Sequence, residues 1–184
     1  LKTAFGGFHK KNGDFGQALL NMKLSWITNL FIIGQFKLRN FLTVNYLNGY
    51  ERFREEKVFL NDPDGIRGFN QRYIYGNEKL VLNLESVVFT PFNIIGFRFA
   101  TSAFADLGFL GEKNSALIAD NLFAGIGLGV KIRNEKLVFP TFQLRFTYYP
   151  NLPGLTATDM IKFLGEPRLN PEKFYPDAPA VMNF

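Results

Sequence analysis

Apolar and polar residues alternate with a period of two, and the alternation returns repeatedly along the chain. Ala18, Leu20, Met22, Leu24 and Trp26 interleave with Asn21, Lys23 and Ser25. Phe36, Leu38, Leu42, Val44 and Tyr46 share one parity, interrupted by Asn40, against Gln35, Lys37, Arg39, Thr43 and Asn45. The pattern recurs with Leu80, Leu82 and Leu84 against Asn83 and Glu85. It recurs with Phe97, Phe99, Thr101, Ala103, Ala105 and Leu107 against Arg98, Ser102 and Asp106. Leu122, Ala124, Ile126, Leu128, Val130 and Ile132 alternate with glycines, Lys131 and Arg133, and Phe142, Leu144, Phe146 and Tyr148 with Gln143, Arg145 and Thr147. Period two places successive side chains on opposite faces of a strand, so the chain is predicted to be all-β, with one apolar and one polar face per strand.

Such a sheet can bury its apolar face against a second sheet or present it to lipid. The runs are about ten residues long, enough for a tilted membrane span and longer than the average soluble strand. Trp26, Tyr46, Phe97 and the pair Tyr148-Tyr149 fall near run ends, where membrane barrels carry aromatic girdles. The polar parity is rich in Lys and Arg, which suits a wet, basic lumen. The reading favoured on these grounds is an antiparallel transmembrane β-barrel. A soluble all-β domain with long, lipocalin-like strands is the alternative.

Composition removes several chemistries. The 184 residues contain no cysteine, which excludes disulfides and thiolate metal sites. His9 is the only histidine, so a three-histidine metal site is excluded within the chain. Ser25, Ser86, Ser102 and Ser115 have no activating motif around them. No enzymatic activity, cofactor, metal or nucleic-acid partner is expected, although the net charge is +5. No stretch is apolar over the roughly 18 residues of a membrane helix, which says nothing against strands. The chain begins at Leu1 without a signal-like segment, which predicts a piece of a longer or processed protein.

Between two of the runs lies a long polar segment, 49–78, containing "DGIRGFNQR" at 64–72. Unstructured loops of this length are uncommon and usually functional or disordered. Here one cation, Arg67, is held between Ile66 and the pair Gly68-Phe69. Two carboxylates, Glu85 and Asp106, fall on the polar parity of the strands that follow. If the loop folds back into the lumen, the planar guanidinium can pair with both. Such a cation would keep both acids ionised, which suits a clamp better than acid–base catalysis. A solvated surface arginine is the alternative.

Gly125, Gly127 and Gly129 alternate with Ile126 and Leu128, so all three lie on the polar face of one strand. A dinucleotide-binding turn would need its third glycine where Val130 stands, followed by a helix. A stripe without side chains could seat a loop folded into the lumen, or simply let the strand curve.

These features also resemble a known family. Ile66-Arg67-Gly68-Phe69 is similar to the Val-Arg-Gly-Phe/Tyr motif of the BamA/TamA superfamily, the bacterial surface antigen family. "FADLG" at 104–108 resembles its Phe-x-Asp-x-Gly strand motif. "LNLESVVFTP" at 82–91 resembles the intervening strand with its Glu and Pro, and "GIGLGVKI" at 125–132 the glycine-rich strand that follows. The match covers roughly residues 19–151. It implies a sixteen-stranded outer-membrane barrel, of which this chain supplies the C-terminal half, about eight strands. It further implies that Arg67, in the sixth extracellular loop, forms an internal lock with Glu85 and Asp106.

Residues 1–151 are accordingly expected to hold the barrel strands and the lumen-inserting loop 49–78. Residues 152–184 carry Pro153, Pro167, Pro171, Pro176 and Pro179 and end in Phe184, with room for a last short strand. The resemblance implies a bacterial outer-membrane protein that assists insertion or translocation of other proteins. Its implied partners are outer-membrane lipid, unfolded outer-membrane or secreted proteins, and accessory assembly subunits. The alternatives are a barrel that anchors or exports an upstream patatin-like lipase or phosphoesterase, and a passive pore favouring anions. Whether such a half-barrel is completed by its own chain or by a second copy stays open.

Overall fold

The computed structural model describes residues 1–9, 15–50, 57–61, 64–70, 74–111, 122–134, 142–151 and 161–165. Its main sheet is antiparallel. The strands are β1 (Lys2–His9), β2 (Phe15–Ile27), β3 (Phe31–Ile33), β4 (Phe36–Tyr50), β7 (Glu78–Ile94), β8 (Phe97–Gly111), β9 (Leu122–Asn134), β10 (Phe142–Tyr148) and β11 (Ile161–Gly165). They are paired in the order β1-β2-β4-β7-β8-β9-β10-β11, with β3 running on beside β4 after β2 ends. β1 and β11 are the two edges, and the sheet is open. Two short strands in the loop between β4 and β7, β5 (Val58–Phe59) and β6 (Tyr75–Gly76), form a separate small ribbon.

β2, β4, β7, β8, β9 and β10 fall on the alternating runs, while β1, β3 and β11 have no such run in the sequence reading, and pairing extends beyond the runs. β4 and β8 have 15 residues and β7 has 17, against about ten expected from the apolar runs. The reason is that backbone ladders continue where side chains turn polar or small, as at Asn48 and Gly49. β7 is bulged between Phe89 and Asn93, where Pro91 cannot donate to the ladder. The Thr90 hydroxyl donates to the Phe99 carbonyl within that stretch, at 2.8 Å.

The two faces are opposite in character and in cover. On one face Leu24, Trp26, Leu84, Ile126, Leu128, Leu144 and Phe146 are all exposed. On the other, Val81, Val87, Phe104, Asp106, Arg145 and Thr147 are buried. The hydrophobic cluster of Leu60, Ile66, Phe69, Val81, Leu110 and Tyr149 lies between the β4–β7 loop and this second, polar face. A water-soluble sandwich buries its apolar face. Among the described residues, this sheet covers its polar face instead.

Of the C-terminal segment 152–184, only Ile161–Gly165 is described, as β11 paired with β10. The ending at Phe184 and all five prolines after 151 lie outside the described residues.

Candidate functional site

The loop reaches the sheet at Asp64–Phe69. The Ile66 N–H donates to the Leu60 carbonyl at 2.9 Å, and the Phe69 N–H to the Ile66 carbonyl at 3.1 Å, forming a tight tip. Gly68 has φ of 76°, a backbone conformation that favours glycine. Gly65 is pressed against the chain, and a Cβ there would clash with the Leu60 carbonyl. Ile66, Leu60 and Phe69 then bury completely on the polar face of the sheet, with Phe69 and Tyr149 in ring contact at 6.2 Å.

This tip presents Arg67 to Asp106 on β8 and Glu85 on β7. The Arg67 main-chain N–H donates to Asp106 Oδ2 at 2.9 Å. Its Nε donates to both Asp106 oxygens at 3.0 Å, and Nη2 to Oδ1 at 2.7 Å. Nη1 donates to Glu85 Oε2 at 2.9 Å, and Nη2 also to the Leu84 carbonyl at 2.8 Å. Asn83 completes the Asp106 shell with an Nδ2–H donated to Oδ1 at 2.9 Å, and also donates to the Gly65 carbonyl. Asp106 is 0% exposed. A fully desolvated carboxylate is tolerable only when its lone pairs are occupied by charged or well-placed donors, and here they are. Glu85 has a second cation, Lys131, at 3.4 Å.

A second group of contacts holds the loop on either side of the arginine. The Tyr149 hydroxyl donates to the Arg67 carbonyl at 2.7 Å. Lys79 Nζ donates to the Phe59 and Asp64 carbonyls, each at 3.2 Å, Asn45 Nδ2 to the Asp64 carbonyl, and Lys23 pairs with the Asp64 carboxylate at 3.4 Å. Beneath the guanidinium lies Phe104, its ring centroid 4.4 Å from Arg67 Cζ and 5.5 Å from Arg145 Cζ, so two cations share one aromatic ring.

The glycine stripe has three separate tenants. In register, Gly125 opposes Asp106, Gly127 opposes Phe104, and Gly129 opposes Ser102. A Cβ on Gly125 would meet Ile66 Cγ2 at 2.9 Å, so this glycine seats the loop. A Cβ on Gly127 would meet the Phe146 carbonyl oxygen and the Phe104 ring, and one on Gly129 the Ser102 hydroxyl. The seat under the loop is completed by Gly108, where a Cβ would meet Leu60 and Ile66.

Arg67, Glu85 and Asp106 are thus in direct contact, with Ile66, Gly68 and Phe69 forming the tip that carries the arginine. Sequence parity alone overlooked Asn83, Phe104 and Tyr149. Tyr149 does not join Tyr148 as a girdle residue: it lies one residue past the end of β10, where Tyr148 is exposed and Tyr149 is buried under the loop. Chemically the site is a clamp in which every carboxylate oxygen faces a donor. Among the described residues no three side chains gather as metal ligands. No family model, curated protein or solved structure matches the chain, so the superfamily resemblance rests on the sequence motifs.

Proposed function

We propose that the chain forms a wall of a transmembrane β-barrel in the bacterial outer membrane, of BamA/TamA type, which assists insertion or translocation of other proteins. The observation that carries the membrane part is the reversed cover of the sheet: polar face packed under a loop, apolar face bare. Leu128 and Trp26 are each 64% exposed on that bare face. In water, so extended an apolar surface is rarely left uncovered. In lipid it is the ordinary state of a barrel wall. The dimensions agree. From Phe36 to Tyr46 the apolar parity of β4 runs roughly 33 Å at about 3.3 Å per residue, hence roughly 23 Å in height at a tilt of about 45°, close to the band of about 25 Å in membrane barrels.

The clamp at Arg67 is, in this reading, an internal lock that keeps the β4–β7 loop inside the barrel. The assembly role is supported by the motif resemblance, and by the open edges β1 and β11. Unpaired strand edges do not occur in hydrocarbon, so each must pair with further strands of the barrel or of a client.

The test uses Trp26, the sole tryptophan. With the full chain in phospholipid vesicles, Trp26 emission is expected to shift to the blue and to be quenched by brominated acyl chains. Vesicles carrying the chain are further expected to accelerate folding of an unfolded outer-membrane barrel over protein-free vesicles. A water-exposed Trp26 would end the membrane reading, and unchanged folding rates would end the assembly role alone.

A further inference from the structure

Every acceptor around the Arg67 guanidinium belongs to the sheet: Asp106 on β8, with Glu85 and the Leu84 carbonyl on β7. The sheet also holds these acceptors in place. Asn83 stands opposite Asp106 in register and donates to Oδ1 at 2.9 Å, and Lys131 on β9 lies 3.4 Å from Glu85 Oε1. Phe104 on β8 supplies the ring beneath, 4.4 Å from Cζ. What the loop supplies is the occupant. Groups carried on paired strands hold their geometry more closely than groups on loops, so the cradle persists when the loop is withdrawn. Its two carboxylates then favour another cation between them.

The same cradle reads more than a charge. Asp106 Oδ2 accepts the Arg67 main-chain N–H at 2.9 Å, and the Tyr149 hydroxyl, just past β10, donates to the Arg67 carbonyl at 2.7 Å. The preceding residue has a socket of its own. Ile66 sits on Gly108 and Gly125, where an added Cβ would lie 3.1 Å and 2.9 Å from its side chain. The sheet thus recognises a guanidinium, the main-chain N–H and carbonyl of the residue that bears it, and an apolar side chain one residue earlier. Only a polypeptide carries these groups together. A small guanidino compound would satisfy the carboxylates alone.

We propose that this cradle is a receptor for a peptidyl arginine preceded by a large apolar residue. Arg67 occupies it as a tethered ligand, and such an arginine in another polypeptide binds it when the loop is withdrawn. The docked loop is then an autoinhibitory contact. A tethered ligand acts at an effective concentration on the order of millimolar, so a competitor enters where Ile66 and Arg67 have been withdrawn or removed. The receptor needs only the paired strands, whether the apolar face meets lipid or water.

The full chain carrying Ile66→Ala and Arg67→Ala together, in detergent micelles, is titrated by calorimetry with three probes. They are an acetylated, amidated Ile-Arg-Gly peptide, its Ile-Lys-Gly counterpart, and methylguanidinium. The arginine peptide is expected to bind best, with the lysine peptide about tenfold weaker for want of the planar fork. Methylguanidinium should be weaker than the arginine peptide. Adding Tyr149→Phe should weaken the arginine peptide about fivefold and leave methylguanidinium unchanged. Adding Asp106→Asn should abolish binding of all three, and the parent, with its cradle filled, should bind none. No binding of the arginine peptide, equal binding of the two peptides, or binding that survives Asp106→Asn overturns the proposal. So does a parent that binds as tightly as the variant, or a methylguanidinium that matches the arginine peptide. Where the double variant does not fold, Arg67→Ala alone is held to the same order of affinities. Loss of the strand signal in circular dichroism for both would show that the sheet does not build the cradle by itself, which also overturns it.

Discussion

The main-chain N–H and the guanidinium of Arg67 bind the same carboxylate, that of Asp106, at 2.9 Å and 2.7 Å. The side chain therefore fixes the loop backbone as well as its own charge, and the two residues are separated by 39 positions in the chain. Asp106→Asn keeps the shape but removes the charge and leaves Arg67 with Glu85 as its remaining carboxylate. The expected cost is about 3 kcal/mol in urea unfolding, reduced wherever water enters. Limited proteolysis should then cut the loop near Asp64–Phe69 while the sheet stays folded. A loop as resistant as in the parent would deny the clamp its structural role.

Arg67→Lys tests the fork. An ammonium cannot hold Asp106, Glu85 and the Leu84 carbonyl with a planar set of donors, so the variant should recover only part of the protease resistance lost in Arg67→Ala. Full recovery would mean that charge alone suffices.

The seat at Gly125 is steric. Gly125→Ala brings a Cβ within 2.9 Å of Ile66 Cγ2, and the expected penalty is about 1–3 kcal/mol. Ile66→Ala should be costly by itself but should cancel much of the Gly125→Ala penalty when combined with it. Additive losses in the double-mutant cycle would place the two residues out of contact in solution.

Phe104→Leu removes the ring shared by Arg67 and Arg145 and leaves the ion pairs in place. The expected loss is about 1–2 kcal/mol, from cation–π attraction and from the space above Gly127. Urea unfolding unchanged from the parent would show the ring to be a bystander.

A substitution at Leu128 distinguishes a lipid-facing sheet from a water-facing one. It is exposed, so Leu128→Arg should be nearly neutral if that face is wetted, within about 0.5 kcal/mol. Against lipid near the midplane it should cost about 2–4 kcal/mol in vesicle-based unfolding.

Much of this arrangement was legible in the sequence because period two has only two phases. Once Leu82 and Leu84 define one face of β7, Glu85 and Asn83 must occupy the other, and the same reasoning puts Asp106 opposite Leu107. Strand ends were less legible: the ladder needs only backbone, and it runs on past the last apolar residue. The contacts of Lys79, Asn45 and Tyr149 were not legible either. They are made to main-chain carbonyls of the loop, and a carbonyl leaves no mark on the residue type that carries it.

Asn83 opposes Asp106 in the β7–β8 register, and Arg67 needs Asp106, Glu85 and the Leu84 carbonyl at once. A slip of one residue between these strands would turn Asp106 to the apolar side and leave the loop cation only Glu85 and the Leu84 carbonyl on β7. Arg67 precedes both strands in the chain, yet its site exists only after they have paired correctly. The loop can therefore close only over a wall in the right alignment, which makes its docking a checkpoint on strand pairing and one of the last events in folding.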